Sequence, residues 1–156
     1  MSVTRDPESS LGFLLNDVSR LLRRNFNRRV QTLGLTQAQW RVLAQLSRNE
    51  GINQAGLADL LEVRPITLAR LIDRLEKAGW VERRNNPDDR RACRLYLTDR
   101  AVPLIKNMQE MGAKTIAEAL VGFSPSAEAE FIENLSAIKR NLLAAEAVQE
   151  ETQGTD

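Results

Sequence analysis

The stretch from Asn53 to Thr98, NQAGLADLLEVRPITLARLIDRLEKAGWVERRNNPDDRRACRLYLT, restricts the fold more than any other. It predicts two short helices in succession. In the first, Gln54 to Glu62, the residues Leu57, Ala58 and Leu61 share a face. Asn53 stands in front of it as an N-cap, whose side-chain oxygen can take an orphan backbone N–H. A tight break follows at Val63-Arg64. Pro65 then opens a second helix at a position where a missing N–H costs nothing. Gly79 closes that helix after about Ala78, supplying left-handed backbone that a Cβ resists. At about 100° per residue, Leu68, Leu71, Ile72 and Leu75 line one side, and Thr67, Arg70, Arg74 and Lys77 the other. Two helices joined by so short a turn, the second with an apolar back and a donor-rich front, have the layout of a helix-turn-helix.

Two strand-like runs follow, Trp80 to Asn85 and Ala92 to Leu97. The second alternates, with Cys93, Leu95 and Leu97 inward against Arg94 and Tyr96. Between them Asn86-Pro87-Asp88-Asp89 is turn chemistry, which puts Arg90 and Arg91 at the tip of a two-stranded wing. Guanidinium groups at such a tip suit the minor groove of a duplex, whose negative potential attracts them. Thr67, Arg70 and Arg74 are the candidates for the major groove, with Arg64 and Pro65 where the chain enters the helix. An arginine can pair bidentately with guanine, at about 1–3 kcal/mol of discrimination. For Arg70 a phosphate clamp, or a salt bridge to Asp73 or Asp89, stays open beside base contact. Arg83, Arg84 and Arg94 are assigned to phosphates, which add affinity but no sequence information.

A net charge of +1 says little about such a partner; its distribution says more. Residues 64–94 hold nine basic and five acidic side chains, and residues 101–156 four basic and nine acidic. The positive excess therefore falls on the second helix and wing. Histidine is absent, which removes the commonest metal ligand and general base. No glycine-rich phosphate loop, nucleophile motif or metal-ligand cluster is present, so no enzyme activity, cofactor or metal is expected. The single cysteine, Cys93, excludes an internal disulfide and lies inward on a strand, where it packs as a small hydrophobe. No apolar run approaches a membrane span, and MSVTRDPESS lacks the apolar core of a signal peptide. A cytoplasmic, nucleoid-associated protein is expected.

Around this centre lie longer helices. Leu14, Leu15, Val18, Leu21, Leu22, Phe26, Val30 and Leu33 keep a helical period from Leu11 to about Leu33, ending at Gly34. Arg20, Arg23, Arg24, Arg28 and Arg29 on it read as a solvated face. Thr36 caps a second helix, Gln37 to about Arg48, with Trp40, Leu43 and Leu46 inward. After the wing, Thr98 reads as the N-cap of a helix from Asp99 to about Leu120, with Pro103 distorting its first turn. Ser124 or Ser126 caps the last helix, where Phe131, Leu135, Ile138 and Leu142 form a packing seam. These outer helices carry more apolar surface than the winged part can cover, which predicts a two-fold partner.

The run from Leu57 to Thr98 resembles the winged helix-turn-helix of the MarR family of bacterial regulators. Its wing carries that family's pattern, Asp89-Arg90-Arg91 followed by Leu95-Tyr96-Leu97-Thr98. LGLTQAQW (33–40) and DRRACRLYLTDRAVPLI (89–105) resemble its SlyA-like branch. The resemblance implies a mainly α fold with a small β-wing: a winged helix-turn-helix core over 36–98, flanked by dimerisation helices over 11–34 and 99–148, in one domain. It implies a cytoplasmic homodimer that binds double-stranded DNA at a palindromic operator as a repressor in the manner of that family, with Arg70 contacting bases. One of Arg90 and Arg91 would enter the minor groove while Asp89 holds the wing together. It also implies a pocket for a small aromatic or anionic effector, bordered by Trp40 and reached by Arg20 or Arg23. The position aligned with a pocket histidine of that branch is Ala44. A regulator acting without a ligand, as a competitor of other DNA-bound proteins, and a winged-helix module for protein partners are the alternative readings. Family sensors of peroxide carry their cysteine near the start of the first helix, unlike Cys93.

Overall fold

The computed structural model describes residues 10–153, with the backbone alone for 90–92 and 151–153. Helix α1 (Leu11–Val30) tightens into a 3₁₀ turn, Gln31–Leu33, and stops at Gly34 as the apolar period indicates. Helix α2 (Gln37–Arg48) opens on a capping box: the Thr36 hydroxyl accepts the Gln39 N–H, and the Gln39 side chain accepts the Thr36 N–H. In α3 (Gln54–Leu61) the Asn53 carboxamide oxygen accepts the Gly56 N–H at 2.7 Å. Glu62, expected inside this helix, instead follows it in left-handed backbone at φ 53°. That conformation costs a non-glycine residue roughly 1–2 kcal/mol. It lets the Val63 N–H return to the Ala58 carbonyl and turns the chain sharply into α4.

Helix α4 (Pro65–Lys77) begins on its proline and buries Leu68, Ile72 and Leu75 completely. Gly79 follows at φ 78°, where a Cβ would also meet the Arg100 guanidinium at 3.1 Å. Strands β1 (Val81–Asn86) and β2 (Asp89–Leu97) pair antiparallel, with Val81 opposite Leu97 and Asn86 opposite Asp89. This corrects the expected tip. Pro87 and Asp88 make the turn, while Arg90 and Arg91 belong to β2. Asn85 faces Cys93 although Asn86 faces Asp89, so 90–92 have no opposite number and β2 bulges there. A third backbone edge was not expected: Gly51 and Ile52 exchange hydrogen bonds with Leu95, and Asn53 bridges to Arg94. Glu50 completes it by accepting the Leu97 N–H at 2.9 Å.

Thr98 does not cap a helix with its side chain. Its hydroxyl donates to the Gly79 carbonyl at 2.5 Å, tying the end of the wing to the end of α4. The chain continues through a 3₁₀ turn, Asp99–Ala101, into α5 (Val102–Ala119). Pro103 thus falls in the first α-helical turn, where its missing N–H breaks no internal bond.

Two compact units part after Ile116. The core of the first joins Val30 and Leu35, Val42, Leu43 and Leu46 of α2, Leu57 of α3, the buried face of α4, Val81, Leu95 and Met108. In the second, Ser124 accepts the Ala127 N–H at 3.2 Å and so caps α6 (Pro125–Gln153). That helix passes the expected end at 148, because neither glycine nor proline interrupts it after Pro125. No described helix is long and apolar enough to cross a membrane.

Candidate nucleic-acid interface and adjoining pocket

Burying Leu68, Ile72 and Leu75 leaves the opposite face of α4 to solvent. Arg64, Pro65, Thr67, Arg70 and Arg74 all lie exposed there. Among the described residues no carboxylate forms an ion pair with Arg64, Arg70 or Arg74. The reason is local. Asp73, the acid best placed to neutralise Arg70, pairs instead with Arg83 at 2.7 Å. Glu76 takes the other arm of the same guanidinium at 2.6 Å and the Arg83 N–H at 3.3 Å. Burial by itself would pull the Arg83 pKa down; the hydrogen bonds to Asp73 and Glu76, reinforced by both charges, hold it above the ordinary guanidinium value.

Arg83 was assigned to phosphates from sequence, but its side chain is 23% exposed and fastens β1 to α4. Arg84 remains accessible: it donates to Glu82 and lies with its guanidinium carbon 4.2 Å from the centre of the Tyr96 ring. Arg94, opposite Arg84 on the ladder, is exposed. The side chains of Arg90 and Arg91 lie outside the described residues; their backbone follows the wing turn. Cys93 is half buried.

One residue of this face escaped the sequence reading. Ile66, on the first turn of α4, is 61% exposed. It lies within about 40° of Arg70 on the helical wheel. An apolar side chain on the donor face was a signal available in the sequence.

Within the first unit, helices α1, α2, α3 and α5 border a cavity of about 410 Å³. Helix α1 contributes Leu22, Arg23 and Phe26 to its lining, and α2 contributes Trp40, Arg41, Ala44 and Gln45. The end of α3 adds Leu61, and α5 adds Gly112, Thr115 and Ile116. Trp40 is held rigidly: its ring meets Phe26 edge-on at 4.7 Å, and its indole N–H donates to Asn27 at 3.1 Å. Its polar handle is therefore used, and an apolar face borders the space. Arg23 and Arg41 bring two half-buried guanidinium groups to a lining that contains no acidic residue among the described residues. Arg20, the alternative to Arg23, is not among the lining residues and pairs with Asp17 at 3.3 Å on the surface. Ala44 lines the cavity with a methyl group and leaves room. Arg41, Gln45 and Thr115 were not singled out from sequence, because their convergence depends on how three helices pack.

Residues 35–93 match the model of the MarR family. The chain is 38% identical to the solved transcriptional regulator PA3341, with a TM-score of 0.76 and coverage of 86% of this chain and 99% of that one. It is 28% identical to wild-type apo MarR from E. coli, at a TM-score of 0.72 over 83% and 96% of the two chains. Against the transcriptional regulator SlyA the identity is 25%, with a TM-score of 0.72 over 86% and 94%.

Proposed function

The chain belongs to the MarR family of transcriptional regulators, and from that premise we propose that it represses transcription as a homodimer on a palindromic operator. The observation that carries this is the outward face of α4, whose Arg64, Arg70 and Arg74 form no ion pair among the described residues while Arg83 occupies Asp73 and Glu76. Arg70 is the residue assigned to a guanine edge, with Thr67 and Arg74 beside it in the major groove. Ile66 supplies methyl groups suited to the C5-methyl of thymine. Arg64 and Pro65 bring the N-terminus of α4 to the phosphate backbone, where its N–H groups and dipole favour an anion. Arg90 and Arg91 serve the minor groove, and Arg84 and Arg94 the phosphates flanking it. Arg83 is given a bracing role.

The dimer reading is supported on α1 by Leu11, Phe13, Leu14, Val18 and Leu21, all exposed, and on α6 by Phe131, Ile132, Leu142, Leu143 and Val148. So much bare apolar surface is more than a soluble monomer tolerates. A two-fold partner covers it and sets two α4 helices about one DNA turn apart. The site of action is the cytoplasm, at the nucleoid. The cavity is assigned to a small aromatic anion: Trp40 and Phe26 offer ring contacts, and Arg23 and Arg41 offer charge with no acid among the described lining residues to compete. Binding there lowers affinity for the operator to the extent that the ligand prefers the DNA-incompetent form.

Fluorescence anisotropy tests the DNA reading on a duplex from upstream of the protein's own gene, against a shuffled duplex of equal composition, at several salt concentrations. Preference for the upstream duplex, lost in Arg70→Ala, is the expected result. The reading fails if parent and variant bind both duplexes alike.

A further inference from the structure

Arg41 stands at the junction between the cavity and the joint from which α4 departs. It lies half buried on α2, lines the cavity, and its Nη2 donates to the Leu61 carbonyl at 3.2 Å. Leu61 is the last residue of α3. Glu62 follows in left-handed backbone, and Arg64, two residues further on, precedes α4 with no side-chain cap of its own. The final carbonyls of a helix have no partner within it, and a cation placed there also complements the dipole. Arg41 therefore caps α3 from another helix and steadies a joint that is strained at Glu62.

The same guanidinium lines an acid-free cavity and makes no ion pair among the described residues. Its two roles compete. A carboxylate that takes the fork of Arg41 offers two parallel bonds and a full opposite charge where the Leu61 carbonyl offers one bond to a neutral acceptor, and so draws Nη2 away from Leu61. Arg23, reaching the cavity from α1, can hold the anion without touching this joint.

We infer that Arg41 couples the cavity to the reading helix: an aromatic anion bound there removes Arg41 from the Leu61 carbonyl, uncaps α3 and loosens the turn that aims α4. The inference rests on the assignment of the cavity to such an anion. Reciprocity follows. Operator binding, which needs α4 held, keeps Arg41 on Leu61 and weakens the anion by the same factor.

The test uses benzoate and its uncharged isostere benzamide on the full-length dimer. Calorimetry reads binding, and anisotropy on an operator duplex at matched ionic strength reads release. In the parent, saturating benzoate is expected to lower operator affinity by about tenfold, within the usual range of such couplings, whereas benzamide binds and leaves it unchanged. Arg41→Gln is expected to bind operator as weakly as the benzoate-saturated parent does. It still binds benzoate through Arg23, with no further loss of DNA. Retention of the parent's benzoate response in Arg41→Gln overturns the coupling, because a merely structural or merely ligand-binding role would leave that ratio intact. Release by benzamide equal to that by benzoate overturns it in the parent protein alone, whether or not the variant folds. Absence of calorimetric binding of both compounds to the parent is a different failure: the assignment of the cavity falls, and the inference with it.

Discussion

Arg70 and Arg83 carry the same charge and differ in what surrounds them. Arg70 extends from α4 into solvent, while Arg83 is held by Asp73 and Glu76. Replacing Arg70 with alanine is expected to cost about 1–3 kcal/mol on the operator and much less on shuffled DNA, read by anisotropy. Replacing Arg83 with alanine is expected to destabilise the fold by about 1 kcal/mol, because its ion pairs are partly solvated. Thermal unfolding checks that loss, and operator affinity should fall without a change in sequence preference. The outward placement of Arg70 was legible in sequence, since helical period and proline-to-glycine limits place it opposite Leu68, Ile72 and Leu75. The bracing by Arg83 was not. Which of several arginines finds Asp73 depends on β1 folding back along α4, and residue type carries no trace of it. Arg41 was missed for the same reason: its carbonyl partner lies on another helix, 20 residues away.

Among the elements, α3 and α4 were legible because each boundary has a local chemical cause: Asn53, Pro65 and Gly79 act within one turn of themselves. The wing was read correctly as a ribbon but not at its tip. Asn86-Pro87-Asp88-Asp89 has turn composition throughout, yet pairing of Asn86 with Asp89 brings the ladder to the two ends of Pro87-Asp88. Register is a property of two strands, and the composition of one segment does not disclose it. Thr98 does stand at the N-cap position ahead of Asp99, but its hydroxyl goes to the Gly79 carbonyl at the end of α4 instead of to a helix N–H. The wing's proposed part in DNA binding belongs to this scale. Replacing Arg90 and Arg91 together with alanine is expected to weaken operator and shuffled duplexes alike. It should also make the slope of log affinity against log salt shallower by about 1–2. Unchanged affinity and slope would remove the wing from the interface.

For the whole molecule, the proposed dimer rests on the apolar surface exposed on α1 and α6 more than on any single contact. Leu142 and Leu143 are exposed on α6 in the single chain. Replacing both with arginine is expected to shift the protein toward monomer in sedimentation equilibrium and to weaken operator binding, since in the proposed dimer each monomer reads one half-site. A variant that stays dimeric would place the interface elsewhere. That exposure was visible in sequence as periodic leucines with nothing nearby to cover them, whereas the cavity was expected only through the family resemblance, which pointed to Trp40, Arg23 and Ala44 but not to Arg41, Gln45 or Thr115, because a cavity is what several helices leave between them. The central claim, that two α4 helices read a symmetric site, is tested most directly by selecting bound duplexes from a random-sequence pool. The expected result is enrichment of an inverted repeat with half-sites about one helical turn apart, lost when Arg70 is replaced with alanine. A pool that stays random, or one enriched for a site without two-fold symmetry, would contradict it.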